Sequence, residues 1–488
     1  MSETTARNAA APDGQDSDDA VVAVVSLYVK TKRIYARAVS GWFAGWRWAL
    51  VWATQLVFYG MPWLMWNGRP AVLFNLEARR FYIFDLVLYP QDLIYLTGLL
   101  IISAYALFLF TAVAGRLWCG YACPQTVYTE IFMWVERQFE GDRNARMKLD
   151  AGPWTFNRVW RQGGTQVAWV AIALWTGISF VGYFTPIRDL LASLSQFALG
   201  PWEWFWVLFY GFATYGMAGH MREQVCKYMC PYARFQSAMF DKDTLIISYD
   251  KERGDPRGTR SRKIDARSQG LGDCIDCGLC VQVCPTGIDI RNGLQYECIG
   301  CAACIDVCNG VMDKMKYPRG LVRYVTQNGL NQHLTRAQMI RTVFRPRVIG
   351  YTAVLLIIVG ALLASIAMRS PFRVDVVRDR ASLARLVDEG YIENVYSLQV
   401  MNATEEAQTY QVRVGGLPGA VIDGSAEVRV DPTGARWLPV AVRIPPAAAE
   451  TAGAGAHPIS FEIERVADPA KGQAAVVLSE KSTFIVPR

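Results

Sequence analysis

The chain has 488 residues, of which 52% are hydrophobic and 19% charged, with 12 cysteines and a formal net charge of +7. Ordinary soluble proteins are about 25% charged, so this composition excludes a fully soluble enzyme as well as disordered and fibrous classes. No basic helix or aromatic-basic stripe accompanies the positive balance, which argues against nucleic acid and for the lysine and arginine asymmetry of a membrane protein.

Residues 1–40 begin small and acidic, with Asp13, Asp16, Asp18 and Asp19, and end basic. They lack the apolar core of a signal peptide and are expected to be disordered. Five later stretches, 46–66, 91–114, 165–184, 198–219 and 348–368, reach the roughly 20 apolar residues that cross a bilayer. Lys30, Lys32, Arg33, Arg37 and Arg47 precede or open the first stretch. Arg116, Arg137, Arg143, Arg146, Lys148, Arg158 and Arg161 separate the second from the third, and Arg336, Arg341, Arg345 and Arg347 lead into the fifth. Such segments stay on the cytoplasmic side, which places everything after Met368 outside. Arg69, Arg79 and Arg80 run mildly against that direction. The expected organisation is a four-span membrane domain at 41–240, a cytoplasmic ferredoxin-like domain at 241–345, a fifth span at 346–370 and a periplasmic domain at 371–488.

All the cysteines fall between Cys119 and Cys308, on the side where thiols stay reduced and available to metals. Cys274, Cys277, Cys280 and Cys284 follow C-x2-C-x2-C-x3-C, closed by Pro285, and the run recurs as Cys298, Cys301, Cys304 and Cys308. This is the bacterial ferredoxin pattern, in which three thiolates wrap one face of a cubane and the fourth comes from the other run. Cys274, Cys277, Cys280 and Cys308 are accordingly assigned to one 4Fe-4S cluster, and Cys298, Cys301, Cys304 and Cys284 to a second. A two-knuckle zinc site from Cys274, Cys277, Cys298 and Cys301 is the competing reading, but it leaves four in-step cysteines idle. Asn309 stands where the second run would carry proline, which bears on local backbone shape rather than on ligation.

The remaining cysteines form two C-x3-C-P pairs at membrane boundaries, Cys119 and Cys123 before Pro124, and Cys226 and Cys230 before Pro231. Thiols four apart are expected to share one helical face. Together the pairs offer four soft ligands to copper, or two dithiols that supply electrons. Simple burial is the plainer role for a free cysteine, but duplication with identical spacing favours function. Met217, His220, Met221 and Met229 flank the second pair and suit copper, although packing is the commoner role of each. His333 and His457 have no ligand-spaced partner, and without C-x-x-C-H no covalent haem is expected. The basic segment 250–267 reads as a solvated linker able to touch anionic headgroups. Beyond Pro371, short alternating runs at 396–400, 410–414, 428–430, 440–444, 459–463 and 474–478 indicate an antiparallel β-sandwich. Asn402-Ala403-Thr404 fits a glycosylation triplet that is frequent by chance.

The two C-x3-C-P pairs, the stretch from Asp250 to Gly258, both ferredoxin runs, and the stretch from Val311 to Gly320 together resemble the CcoG (FixG/RdxA) family. The resemblance runs from the first span to the C-terminal end and implies an immunoglobulin-like final domain. It also implies a bacterial inner-membrane accessory protein for assembly of a cbb3-type cytochrome c oxidase, acting as a cupric reductase that supplies Cu(I). Its partners would be copper ions, assembly factors or a copper transporter, and a cytoplasmic electron donor. Two other readings stay open: a quinol dehydrogenase-type membrane polyferredoxin, and a non-catalytic assembly scaffold.

Overall fold

The computed structural model describes residues 33–262, 267–379, 384–467 and 474–487. Lys30, Lys32 and the acidic tail therefore lie outside the described residues, as does Lys263 of the basic segment.

Among the described residues, three helices are long and apolar enough to cross a membrane: Pro90–Ala114, Phe156–Val181 and Pro346–Ala367. The stretches expected as first and fourth spans take a different form. The first becomes the helix Trp42–Gly60, whose Arg47 and Gln55 are buried against the protein. Its outer face is apolar, with Trp42, Trp46, Trp52, Leu56 and Val57 exposed. The fourth is an α-helix only over Pro201–Thr214, after which Tyr215–Met221 widens to π-helical geometry. That helix packs on Phe156–Val181, where the Val207 carbonyl occupies the space a Cβ at Gly177 would need. Pro346–Ala367 packs on Leu93–Ala114, with Tyr105 and Tyr351 ring centroids 6.1 Å apart.

At one end of these helices, strands Val72–Asn75, Arg80–Ile83 and Leu86–Leu88 form an antiparallel sheet that seats the C-terminal domain. The Tyr89 hydroxyl donates to the Asn402 carbonyl at 2.8 Å. Asp92, fully buried, accepts from Arg369 and from Arg373, the latter at 3.0 Å. Arg69 pairs with Glu405 and stacks over Tyr82, so the loop that ran against the charge rule is partly neutralised by the domain it touches. The C-terminal domain is a sandwich of two antiparallel sheets, one ordered 421–423, 435–444, 392–402, 372–378 and the other 427–430, 408–415, 455–465, 476–486. Tyr396, Leu398, Tyr410, Phe461, Ile463 and Phe484 fill its core. Asn402 of the triplet is wholly buried, and its amide donates to the carbonyls of Glu406 and Asp431.

At the opposite end, Ile246–Tyr249 pairs with Val322–Val325, and this ribbon covers the helices Leu279–Gln282 and Ala303–Met315. Asp306 fixes this unit to the helical part. Its carboxylate accepts from the backbone N–H groups of Phe43 at 3.2 Å and Ala44 at 2.7 Å, where the first helix begins. A carboxylate there satisfies unpaired donors and complements the helix dipole. The basic segment is a strap rather than a solvated linker: Arg253 bonds Asp273 and the carbonyls of Pro318 and Arg319, and Arg260 reaches the carbonyls of Gly272 and Cys274.

Candidate iron–sulfur and thiol centre

The two ferredoxin runs adopt one backbone twice. Asp276 and Gly300, each one residue before the second cysteine of its run, have φ of 52° and 70°. Gly278 and Ala302, each one residue after it, have φ of 65° and 59° and start the helices Leu279–Gln282 and Ala303–Met315. Left-handed residues set between right-handed ones turn successive N–H groups into a concavity of the kind that holds iron–sulfur clusters. A side chain at Ala302 costs about 1–2 kcal/mol in that conformation, and the repeat keeps it all the same.

Cys274, Cys277, Cys280 and Cys308 line one cavity, with Tyr249 and Arg291 beside them. Cys284, Cys298, Cys301 and Cys304 line the next, and Cys280 borders both. Burial pushes the Cys308 thiol up to about 12, and the neighbours that add to this are Cys280, Cys274 and Cys277 of the other run. Cys304 is raised by burial and then by Cys301, Cys298 and Cys284. The fourth cysteine of each run thus stands among three from the other. Such thiols release their protons only to a bound cation, so the donor set suits a metal centre.

The boundary pairs share one local design. Cys119 lies in the short helix Leu117–Tyr121, and Cys226 in the π-helical turn Val225–Met229. Cys123 and Cys230 are N-caps in extended conformation, each followed by a proline that opens a helix, Pro124–Glu140 and Pro231–Met239. The thiols of a pair therefore do not share one helical face. A helix break separates them, because proline cannot continue a helix but starts one well. Burial pushes Cys119 to about 11 and Cys226 to about 12, and each of the four sulfurs is an electrostatic neighbour of others in the set. Gln236, wholly buried, donates its amide N–H to Cys119 Sγ at 3.3 Å. No spacing rule pointed to Gln236, which lies beyond the second pair and comes back to the first.

The two centres touch. Cys119 and Cys226 pack against Cys301, Ile299 and Val283. At Gly120 a Cβ would stand 2.8 Å from the backbone N and Cα of Cys301. The helix carrying Cys119 therefore lies directly on the loop carrying Cys301.

The methionine and histidine neighbourhood does not close around the thiols. Met217, Met221 and Met229 are exposed, and His220 packs edge-on to Trp169 and Tyr215. Among the described residues no three His, Cys, Asp or Glu side chains converge on a single ion position. His333 pairs with Glu252 and His457 with the Gly453 carbonyl.

Residues 221–327 match the family of 4Fe-4S dicluster domains, residues 96–140 a 4Fe-4S binding domain, and residues 362–487 the Ig-like fold at the C-terminal of FixG. The chain is 36% identical over 427 residues to the nitrogen fixation protein FixG of Rhizobium meliloti (strain 1021), covering 81% of this chain and 82% of that one. The chain belongs to the FixG/RdxA family. Protein RdxA of Cereibacter sphaeroides is 38% identical, with 83% of this chain and 87% of RdxA covered, and its RdxB is 40% identical, with 80% and 83% covered. A crystal structure of a FixG-related protein from Vibrio parahaemolyticus is 26% identical over 24% of this chain and 97% of its own, with a TM-score of 0.20. This FixG/RdxA-like chain is an iron–sulfur redox protein with 4Fe-4S domains and apolar helices suited to a membrane. Both boundary pairs fall inside stretches that match 4Fe-4S families.

Proposed function

We propose that the chain is a five-span inner-membrane electron-transfer protein that reduces Cu(II) to Cu(I) at Cys119, Cys123, Cys226 and Cys230 for assembly of a cbb3-type cytochrome c oxidase. Cys274, Cys277, Cys280 and Cys308 would hold the first cluster, and Cys298, Cys301, Cys304 and Cys284 the second. When bound, the clusters supply electrons one at a time, which is the stoichiometry Cu(II) requires. The observation that carries the reading is the packing of Cys119 and Cys226 on the Cys301 loop. It leaves a short path from the second quartet to the boundary sulfurs.

The raised thiols stay protonated until a cation displaces the protons, so copper capture releases protons and weakens as pH falls. Soft sulfur then favours the reduced ion. The five-span reading, with the ferredoxin part inside and the sandwich outside, is supported by the grouping of the chain's two ends. The sheet 72–88 and the sandwich meet at one end of the helices, and Cys119, Cys226 and the insert at the other. A second reading, oxidation of a membrane quinol, draws on a cavity near the second pair that holds Glu140, Trp154, Trp169, His220 and Glu223.

The test is anaerobic. Reduced protein is mixed with Cu(II), and appearance of Cu(I) is followed with a Cu(I)-specific chelator. Replacing Cys119, Cys123, Cys226 and Cys230 by Ser is expected to abolish the fast phase while leaving iron content intact. An unchanged rate removes the boundary thiols from the reaction, and cluster reduction by quinol with no dependence on copper transfers support to the second reading.

A further inference from the structure

Two guanidinium groups are buried beside the second quartet without an acidic partner. Arg47 is 6% exposed, and its Nη1 donates to the Cys301 carbonyl at 3.1 Å. Arg116 is 8% exposed, and it donates to the carbonyls of Cys298 at 3.4 Å and Ala233 at 2.7 Å. Among the described residues neither forms an ion pair, and the Nε of each has no hydrogen-bond partner. Glu130 and Asp306 attract Arg47 from a distance, but neither closes an ion pair with it: Asp306 caps the first helix, and Glu130 faces Arg137 at 3.9 Å. Lys227 adds a third cation on this side through the Thr286 carbonyl at 3.2 Å.

The first quartet is set differently. Its cavity arginine, Arg291, is tied to Asp276 and Asp289. Arg260 reaches the Cys274 carbonyl but is only half-buried, and Cys277 is exposed to solvent. Positive charge there is paired or screened. A buried cation with no partner is costly unless a nearby anion answers it. A cubane held by four thiolates is such an anion, and it becomes more negative on reduction.

We propose that Arg47 and Arg116 are the counter-charges of the second cluster and make it the more easily reduced of the two. Electrons entering at the exposed first quartet then run inward, toward the boundary thiols. This rests on the reading that both quartets hold clusters. Burial alone would oppose the effect, since a dry site disfavours added negative charge, so the order of the two potentials is a discriminating observable.

The experiment is an anaerobic redox titration of the full-length protein followed by electron paramagnetic resonance, with the second cluster's signal assigned by its loss in Cys301→Ser. In the native protein the second cluster is expected to reduce first. Arg47→Gln and Arg116→Gln are each expected to lower its reduced-to-oxidised ratio at fixed potential at least fivefold, about 40 mV for a one-electron couple. The first cluster stays where it was, and Arg47→Lys keeps the native ratio. Should Arg47→Gln shed the second cluster, its restoration in Arg47→Lys supports the counter-charge role, and failure to restore it overturns that role. A change below fivefold in both Gln variants, equal movement of both clusters, or earlier reduction of the first also overturns the proposal. Native protein without iron would instead defeat the reading on which it rests.

Discussion

Gly120→Ala tests the contact on which the proposed electron delivery depends. The added Cβ would stand 2.8 Å from Cys301 N, Cys301 Cα and Gly300 C, where ordinary contact begins at 3.4 Å. All three atoms are backbone, so no rotamer change relieves the clash, and the Cys301 loop must retreat by about 0.6 Å. Overpacking of this kind costs about 1–3 kcal/mol. Taken as about 2 kcal/mol, it weakens retention of the second cluster roughly 30-fold. Iron analysis is expected to fall from about eight atoms per chain toward four, with selective loss of one paramagnetic signal. Gly310→Ala is the control: it lies in the helix Ala303–Met315 with nothing within 4 Å of its added Cβ. That change should stabilise the helix by about 1 kcal/mol. If Gly120→Ala keeps both clusters and matches Gly310→Ala in copper reduction and thermal stability, the close approach has no functional weight.

Three further outcomes follow from buried charge. Glu136, wholly buried, receives Arg33, Arg146 and Arg222, the last of these four residues before Cys226. Glu136→Ala should cost about 3–5 kcal/mol in thermal or denaturant unfolding and speed alkylation of Cys226, because it strands partly buried cations. Asp92→Ala removes the carboxylate shared by Arg369 and Arg373, and limited proteolysis should then release the C-terminal sandwich faster while the iron content holds. Burial on its own would raise Glu393, but hydrogen bonds from Arg443 and Arg385 prevail and hold it below its usual value. Its stabilisation is therefore complete above about pH 4.3 and is lost as pH falls through the lower folded value. Acid unfolding of the sandwich, followed by β-sheet circular dichroism, should lose that part of its pH dependence in Glu393→Gln.

The parts of this protein that spacing dictates were readable in advance. Thiolate runs must match a cubane, so Cys308 falls among Cys274, Cys277 and Cys280, and period-two alternation gives the sandwich strands from 392–402 onward. What escaped were features made by tertiary contact. Arg47 reads from the sequence as one of the basic residues that set membrane direction, whereas in the structure it is buried against the Cys301 carbonyl. Asp306, within the second run, draws no reading from the sequence, yet it caps a helix more than 260 positions away. The sheet 72–88 lies where residue patterns suggested only a loop between two spans, because its buried face is covered by the distant Met401 and Ala403. The shared helical face expected of the cysteine pairs failed because Pro124 and Pro231 act as helix starts, which places the second thiol of each pair outside the preceding turn.

Asp92 stands at the head of the helix Leu93–Ala114, and Cys119 follows a few residues after its foot. Those 22 residues make a rod about 33 Å long. The C-terminal sandwich is bolted to its top through Asp92, Arg369 and Arg373, and the Cys119 thiol stands near its bottom. A load applied to the sandwich is therefore carried along one stiff element toward Cys119, and under the proposed topology that element would join the two faces of a bilayer.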